Sequence, residues 1–453
     1  MSAWTAVKKT WKNRSQGAPT TPLNAAGLND LEDRLETVFD SVEKTSQLDT
    51  AGHAAAHNTV TELSRRARAA AIRGDERVKN KALTTSGVAP VMSSPPTFSQ
   101  DASLPGGLTQ SVNYAQSVYR WSGHKDPAYP SEVRIRGYTK AAGGYVSGAP
   151  SGRLEFDTDA AKISIRLNAV GTSAAMYVRL WVDDEATASV PQLLSSYSAT
   201  QYLTWDFGSQ ARGRMRRITF EWESSANTLS MASVYVAATE MITSPSTISP
   251  RVVLVGDSQV QGAGGAWYCH GYAVQMARLL GWSDIWNLGV GTTGLIQTGS
   301  GGFADAGNYG SRLTDDVIAA NPDVLYLQGT INDQNETGAA ITAAAIDYVE
   351  EFRDSCPDAL VIVTGPVFPA TPTAAHLAVG TAMQSAASTL GVPYVDHLVP
   401  AVIKGTGNVG SPAGDGSADV YRNADNIHPS TVGHTATAVT AAMRAAQAIG
   451  VAL

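Results

Sequence analysis

From residue 251 to the end of the chain, short apolar runs alternate with helical stretches. That alternation constrains the fold more than any other feature. Residues 252–255, 285–288, 324–327, 360–363 and 393–395 read as strands, and helical periodicity falls near 271–280, 311–320, 339–355, 374–390 and 431–449. Strands that are apolar throughout are buried on both faces. The pattern predicts a parallel sheet covered by helices on each side. In such folds the ligand site lies beyond the carboxyl ends of the strands.

The preceding region has a different texture. Runs at 132–135, 153–156, 162–167, 176–182, 202–207, 217–222 and 233–237 alternate apolar with polar residues and are separated by Gly, Asp and Ser turns. This predicts an all-β sandwich. Trp181, Trp205 and Trp222 could stack on sugar rings, but core aromatics of a sandwich are the favoured reading. The stretch 87–107, with Pro90, Pro95, Pro96 and Pro105, reads as a linker, and 244–250 as a second, shorter one.

At the N-terminal end Leu28, Leu31, Leu35, Val38 and Val42 form an a/d seam about two heptads long. A coiled-coil stalk or one amphipathic helix would both produce it. The arginines at 65, 66, 68, 73 and 77 read as a solvated helix face. His53 and His57, four apart, could share a helix face, but no acidic residue nearby completes a ligand set, so no metal is expected. With 453 residues, three parts are anticipated: 1–95 helical with its linker, 96–247 the β-sandwich, and 248–453 the α/β domain.

Bulk properties narrow the function. Cys269 and Cys356 are the only two cysteines, which excludes a disulfide framework and a cysteine-rich zinc site. Residues 251–453 hold 7 Lys/Arg against 17 Asp/Glu, an acidic balance that argues against a nucleic-acid surface there. No apolar run is long enough to cross a bilayer, and residues 1–14 lack the apolar core of a secretory signal.

The chemistry-bearing residues sit at the predicted strand ends. Ser258 follows the first strand within Gly256-Asp257-Ser258-Gln259-Val260. Asn287-Leu288-Gly289-Val290-Gly291 follows the second. Gln328-Gly329-Thr330-Ile331-Asn332-Asp333 follows the third. Asp425-Asn426-Ile427-His428-Pro429 precedes the last helix. A serine hydroxyl is a weak nucleophile unless a base lies within hydrogen-bond reach and a third group orients that base. No Gly-x-Ser-x-Gly elbow surrounds Ser258, which excludes a lipase-type α/β-hydrolase.

These four ordered blocks resemble the SGNH (GDSL-like) hydrolase family, over about 251–449. The resemblance implies a flavodoxin-like α/β fold and no metal or organic cofactor. It also implies Ser258 as nucleophile, His428 as general base and then acid, and Asp425 as the group orienting His428. The oxyanion would be held by the Ser258 N–H, a second-block glycine N–H and the Asn332 amide. Gly289, Gly291 and Gly294 compete for the glycine role, with Thr292 at the expected offset in one alignment; Gly291 is favoured. The family's third block usually reads Gly-x-Asn, and here Thr330 takes the glycine place.

A second resemblance lies at the N-terminus. Trp11-Lys12-Asn13-Arg14, Thr21-Pro22-Leu23-Asn24-Ala25-Ala26, Leu28-Asn29-Asp30-Leu31-Glu32 and His53 … His57-Asn58-Thr59-Val60 are similar to the start of tail-fibre and minor tail proteins of phages infecting actinobacteria. It implies attachment to a virion tail through contacts with other tail proteins, a homotrimer, and no signal peptide. The β-rich middle followed by an SGNH-like part is also similar to two-domain carbohydrate esterases with a jelly-roll module. Combined, these features imply a tail-mounted esterase acting on ester bonds, chiefly O-acetyl groups, of host envelope glycan, with neither nucleic acid nor membrane insertion. The alternatives are a cellular or secreted esterase or lipase on small or lipid esters, and a non-catalytic adhesin.

Overall fold

The computed structural model describes residues 95–450 except 114, 126–134, 137–151, 169–175, 184, 189–190, 195–198, 209–214, 225–229 and 246–248. The heptad, the arginine-rich stretch, the tail-like motifs and His53/His57 lie outside the described residues. So does most of the strand expected at 132–135, of which Ile135–Arg136 is seen, paired with His124–Lys125.

Two antiparallel sheets form the first part. One runs, in spatial order, Thr97–Asp101, Gln201–Asp206, Lys162–Leu167, Met231–Val236 and Gln110–Asn113. The other runs Gln192–Leu194, Met176–Val182, Arg216–Ser224, Gly152–Thr158 and Ile242–Thr243, with Arg120–Ser122 also pairing Gly152–Thr158. Alternation decides what faces inward. Ile163, Ile165 and Leu167 of one sheet share a core with Leu154, Phe156, Ile218 and Phe220 of the other. Trp205 and Trp222 belong to this core, and Trp205 meets Phe220 at 5.7 Å between ring centroids. Trp181 is buried as well, so none of the three tryptophans offers an open face to a sugar.

The linker expected at 87–107 is corrected in its second half: Thr97–Asp101 is an edge strand paired with Gln201–Asp206. Pro95 and Pro96 misled because they stand just ahead of an edge strand, where a missing N–H disrupts no ladder. Phe98 supplies the packing, 5.0 Å from Trp205.

The outward side of the second sheet meets the α/β part through charged groups. Arg278 pairs with Glu221, Arg153 lies 3.4 Å from Glu221, and the Glu223 carboxylate accepts the Cys269 N–H at 2.6 Å. Ser122 Oγ donates to Asp284 at 2.7 Å, and the Arg278 guanidinium lies 4.4 Å from the centre of the Trp181 ring. Burial opposes ionisation of Glu221, but Arg278, Arg153 and Arg179 outweigh it and hold its carboxyl low. Glu223, with less compensation, is pushed up to about 7 by burial. Buried charges of this kind persist only when paired or hydrogen-bonded.

The second part is a five-stranded parallel sheet in the spatial order Asp284–Asn287, Arg251–Val255, Val324–Gln328, Leu360–Thr364, Tyr394–Val395. The helices Gly338–Ser355, Ala374–Leu390 and Thr431–Ala448 fall where periodicity placed them. The first strand therefore sits between the second and third, and the direction of winding reverses there. Such a reversal opens a crevice at the carboxyl ends of the first and third strands. The helix expected at 311–320 is instead three short turns, Gly310–Arg312, Leu313–Val317 and Ile318–Ala320, the middle one widened to π-type spacing. Arg312 there is buried and donates to the Leu288 carbonyl at 2.9 Å, a tertiary demand that periodicity does not carry. Both cysteines are buried and unpaired. No helix among the described residues is long and apolar enough to cross a membrane.

Candidate active site

Ser258 opens the short helical turn Ser258–Gln261 immediately beyond the first strand. Asp257 caps that turn, accepting the Gln259 N–H at 2.8 Å. As the turn's first residue, Ser258 has a backbone N–H with no partner inside the turn. Two glycines make the corner possible. A Cβ on Gly256 would lie 2.2 Å from Val260 Cγ2, and Gly262 ends the turn at φ +98°. The chain thus leaves the strand sharply and lifts the Ser258 side chain into the crevice.

The partner comes from a tight loop. Arg422 and Pro429 bridge its ends, and the Asn423 N–H donates to the His428 carbonyl at 2.8 Å. One oxygen of Asp425 accepts the N–H groups of Ile427 and His428 at 2.9 and 3.0 Å, with Asn426 in the left-handed region at φ +62°. That local turn aims the other oxygen at His428 Nδ1, 2.7 Å away. His428 Nε2 in turn lies 2.8 Å from Ser258 Oγ. Serine, imidazole and carboxylate therefore form one continuous hydrogen-bonded chain. Partial burial of Asp425 works against its ionisation. The His428 N–H, the imidazole and the Ile427 N–H outweigh it and hold the carboxyl below its ordinary range. A carboxylate held ionised there fixes the tautomer with Nε2 free to take the serine proton.

Neighbouring elements hold the two loops together. Gln259 Nε2 donates to the Ile427 carbonyl at 2.8 Å, and Asn423 Nδ2 to the Gly264 carbonyl at 2.6 Å. A Cβ on Gly264 would lie 2.4 Å from His428 Cβ, so only glycine lets this backbone back the imidazole. His434, fully buried, accepts the Tyr272 N–H at Nδ1 (3.1 Å) and meets the Ala263 carbonyl at Nε2 (2.9 Å). Burial lowers its pKa to about 4, and those partners define the neutral Nε2–H tautomer.

Asn332 sits in the turn Ile331–Asp333 after the third strand, and its Nδ2 donates to the Thr293 carbonyl at 2.9 Å. An amide nitrogen has two hydrogens, so one donor remains. The Gly291 N–H donates to the Gln261 side-chain oxygen at 3.1 Å, and the Gly289 N–H to Asn287 Oδ1 at 3.0 Å. A Cβ on Gly291 would meet the Phe303 ring at 2.9 Å, and one on Gly294 the Asp333 carboxylate at 2.4 Å. Thr292 takes φ +61°.

Several residues the sequence reading left without a role prove central to this scaffold. Buried Asp333 accepts the N–H groups of Leu295 and Gln297, both at 2.9 Å, and so ties the second-block loop to the third. Buried Asp257 does more than cap, since its second oxygen accepts the Thr330 hydroxyl at 2.5 Å. An aspartate just before a helical turn is a readable cap signal; its second partner is not. Among the described residues, no three His, Cys, Asp or Glu side chains converge as a metal-holding group.

Residues 254–436 match the GDSL-like Lipase/Acylhydrolase family. No curated protein matches the sequence. Among solved structures, a salicylyl-acyltransferase from a tetracycline biosynthetic pathway is similar at 16% identity and TM-score 0.54, covering 75% of this chain and 97% of the other. A family two carbohydrate esterase from Cellvibrio japonicus is similar at 14% identity and TM-score 0.50, covering 78% and 99%. An acetyl xylan esterase from the rumen bacterium Butyrivibrio proteoclasticus is similar at 13% identity and TM-score 0.50, covering 75% and 100%. At these identities the likeness is one of fold, and it extends across both described parts. The family match and the Ser258–His428–Asp425 geometry together make the C-terminal part an SGNH/GDSL-like serine hydrolase domain.

Proposed function

We propose that this chain is a serine esterase that removes short acyl groups, chiefly acetyl, from a polysaccharide. The observation that carries the mechanism is the unbroken chain from Ser258 Oγ through His428 to Asp425, at 2.8 and 2.7 Å. Ser258 Oγ attacks the ester carbonyl as its proton passes to His428 Nε2. The tetrahedral oxyanion takes donors from the Ser258 N–H and the free amide hydrogen of Asn332, with the Gly291 N–H joining if it leaves Gln261. His428 then protonates the departing alcohol, leaving an acyl-serine. A water activated by the same imidazole releases the acid and restores Ser258.

The saccharide part of the reading is supported by fold-level likeness, over about three quarters of this chain, to a family two carbohydrate esterase and an acetyl xylan esterase. On this reading the two-sheet part is a jelly-roll-like module that backs the catalytic domain. Hydrolysis of p-nitrophenyl acetate beside longer acyl esters, with S258A as control, tests it. Acetate turnover that vanishes in S258A supports the esterase. Turnover that survives in S258A, or no turnover by folded wild type, sinks it in favour of a binder.

Mounting on a phage tail, as a homotrimer acting on the host envelope, is a separate proposal that rests only on the N-terminal sequence resemblance. The alternative, a cellular or secreted esterase or lipase acting on small or lipid esters, is better supported by the family match and the similar solved structures. Light scattering on the full chain distinguishes them: a trimer supports the tail reading, a monomer the other.

A further inference from the structure

The third block departs from the usual Gly-x-Asn at Thr330, and the geometry gives that departure a purpose. We propose that the Thr330 hydroxyl is a positioning residue for the oxyanion site, joining the nucleophile turn to the turn that carries Asn332. The proposal rests on the esterase reading above.

Thr330 is fully buried at the end of the third strand, beside the first. Its Oγ1 donates to Asp257 Oδ2 at 2.5 Å and accepts the Asn332 N–H at 3.0 Å. Asp257, also fully buried, spends its other oxygen on the Gln259 N–H, one residue after Ser258. One hydroxyl thus bridges the cap of the nucleophile turn to the backbone of the oxyanion donor. The Asn332 side chain is then fixed from its far end by the Thr293 carbonyl, and Asp333 holds the 295–297 backbone. A glycine at 330 would leave Asp257 with an unpaired buried oxygen and Asn332 with an unpaired N–H. An unmet buried acceptor is costly, so the pair Asp257–Thr330 stands or falls together. Oxyanion donors act through preorganisation, and displacement of a positioned group by about 1 Å can cost about 100-fold in rate.

The bond also has a direction. Burial pushes the Asp257 carboxyl up to about 6, and in its ionised form it accepts from both the Gln259 N–H and the Thr330 hydroxyl. Protonated on that oxygen, Asp257 would donate to Thr330 Oγ1 instead, and the charge that strengthens the bridge would be lost.

The test uses the full chain, p-nitrophenyl acetate, and the variants T330V, T330S and D257N. Expected for T330V is a fall in kcat of about 10- to 100-fold, with KM within about 2-fold. T330S, which keeps the hydroxyl, recovers kcat to within about 3-fold. D257N, which keeps the cap, lowers kcat in the same way and carries the test should T330V not fold. Wild-type kcat in T330V or D257N overturns the proposal. So does equal impairment of T330S and T330V with matching losses in Tm, which would make the position a packing site only. Failure of the esterase reading looks different: wild type itself is inert, or S258A keeps its activity, and the proposal falls with it.

Discussion

Two aspartates flank Ser258, and they do opposite things. Asp425 stands on an exposed loop with 40% of its side chain open to solvent, and its partners hold the carboxyl ionised. Asp257 is completely buried beneath the nucleophile turn, and burial drives its pKa up to about 6. In the proposed mechanism the exposed one stabilises the charge that forms on His428. The buried one carries a standing cost in stability and returns a fixed corner. Position in the fold, rather than residue type, sets which role an aspartate plays.

The largest effects break the exposed side of this comparison. S258A and H428N should each lower kcat on an acetyl ester by about 10⁵- to 10⁶-fold, leaving whatever the oxyanion donors supply alone. D425N should cost about 10³- to 10⁴-fold, because the amide no longer holds the imidazole in its working tautomer. Parallel kcat measurements on the three proteins check the ranking, and D425N matching wild type would remove Asp425 from the reaction.

Stability measurements sharpen the buried side. A carboxyl whose folded pKa lies above its unfolded value binds more protons in the native state. Its contribution therefore falls as pH rises from the unfolded value through the folded one. For Asp257 that window runs from 3.8 to about 6, and for Glu223 from 4.5 to about 7. In denaturant unfolding the loss is read as wild type minus variant across pH 4–7, because His270, His397 and His434, held neutral by burial, add stability over the same range in wild type and variants alike. D257N and E223Q should each remove about 2–3 kcal/mol of that loss. D257N should then be no less stable than wild type at pH 7 while being slower, a separation of stability from activity. A D257N protein both less stable and fully active would contradict the comparison.

The smallest effect concerns Gly291. Its N–H is engaged by Gln261, and a Cβ there would press on Phe303 at 2.9 Å. G291A should lower kcat by about 10-fold or less if the Asn332 and Ser258 donors dominate. A loss above about 100-fold would mean that the Gln261 bond is exchanged for the oxyanion during turnover.

Much of this was legible in the sequence, for local reasons. Asp425 and His428 lie three apart on one loop, so a single turn sets their geometry. Ser258 follows an apolar strand whose burial is plain from Val252, Val253, Leu254 and Val255. What escaped was non-local. The Asp257–Thr330 bond spans 73 residues and the Glu223–Cys269 bond 46, and no periodicity encodes either. The turns around Arg312 carry the periodicity of one helix, but the buried guanidinium answers to Leu288, 24 residues away. The strand Thr97–Asp101 hid behind two prolines that an edge strand tolerates. Trp181, Trp205 and Trp222 were ambiguous because a core ring and a sugar-stacking ring have the same spelling.

The most direct test of the serine mechanism is covalent capture. Full-length protein is treated with a fluorophosphonate, and the adduct is located by peptide mass spectrometry. The account predicts one adduct, on Ser258, absent in S258A and formed far more slowly in H428N. A folded protein that takes no label, or takes it on another residue, would contradict it.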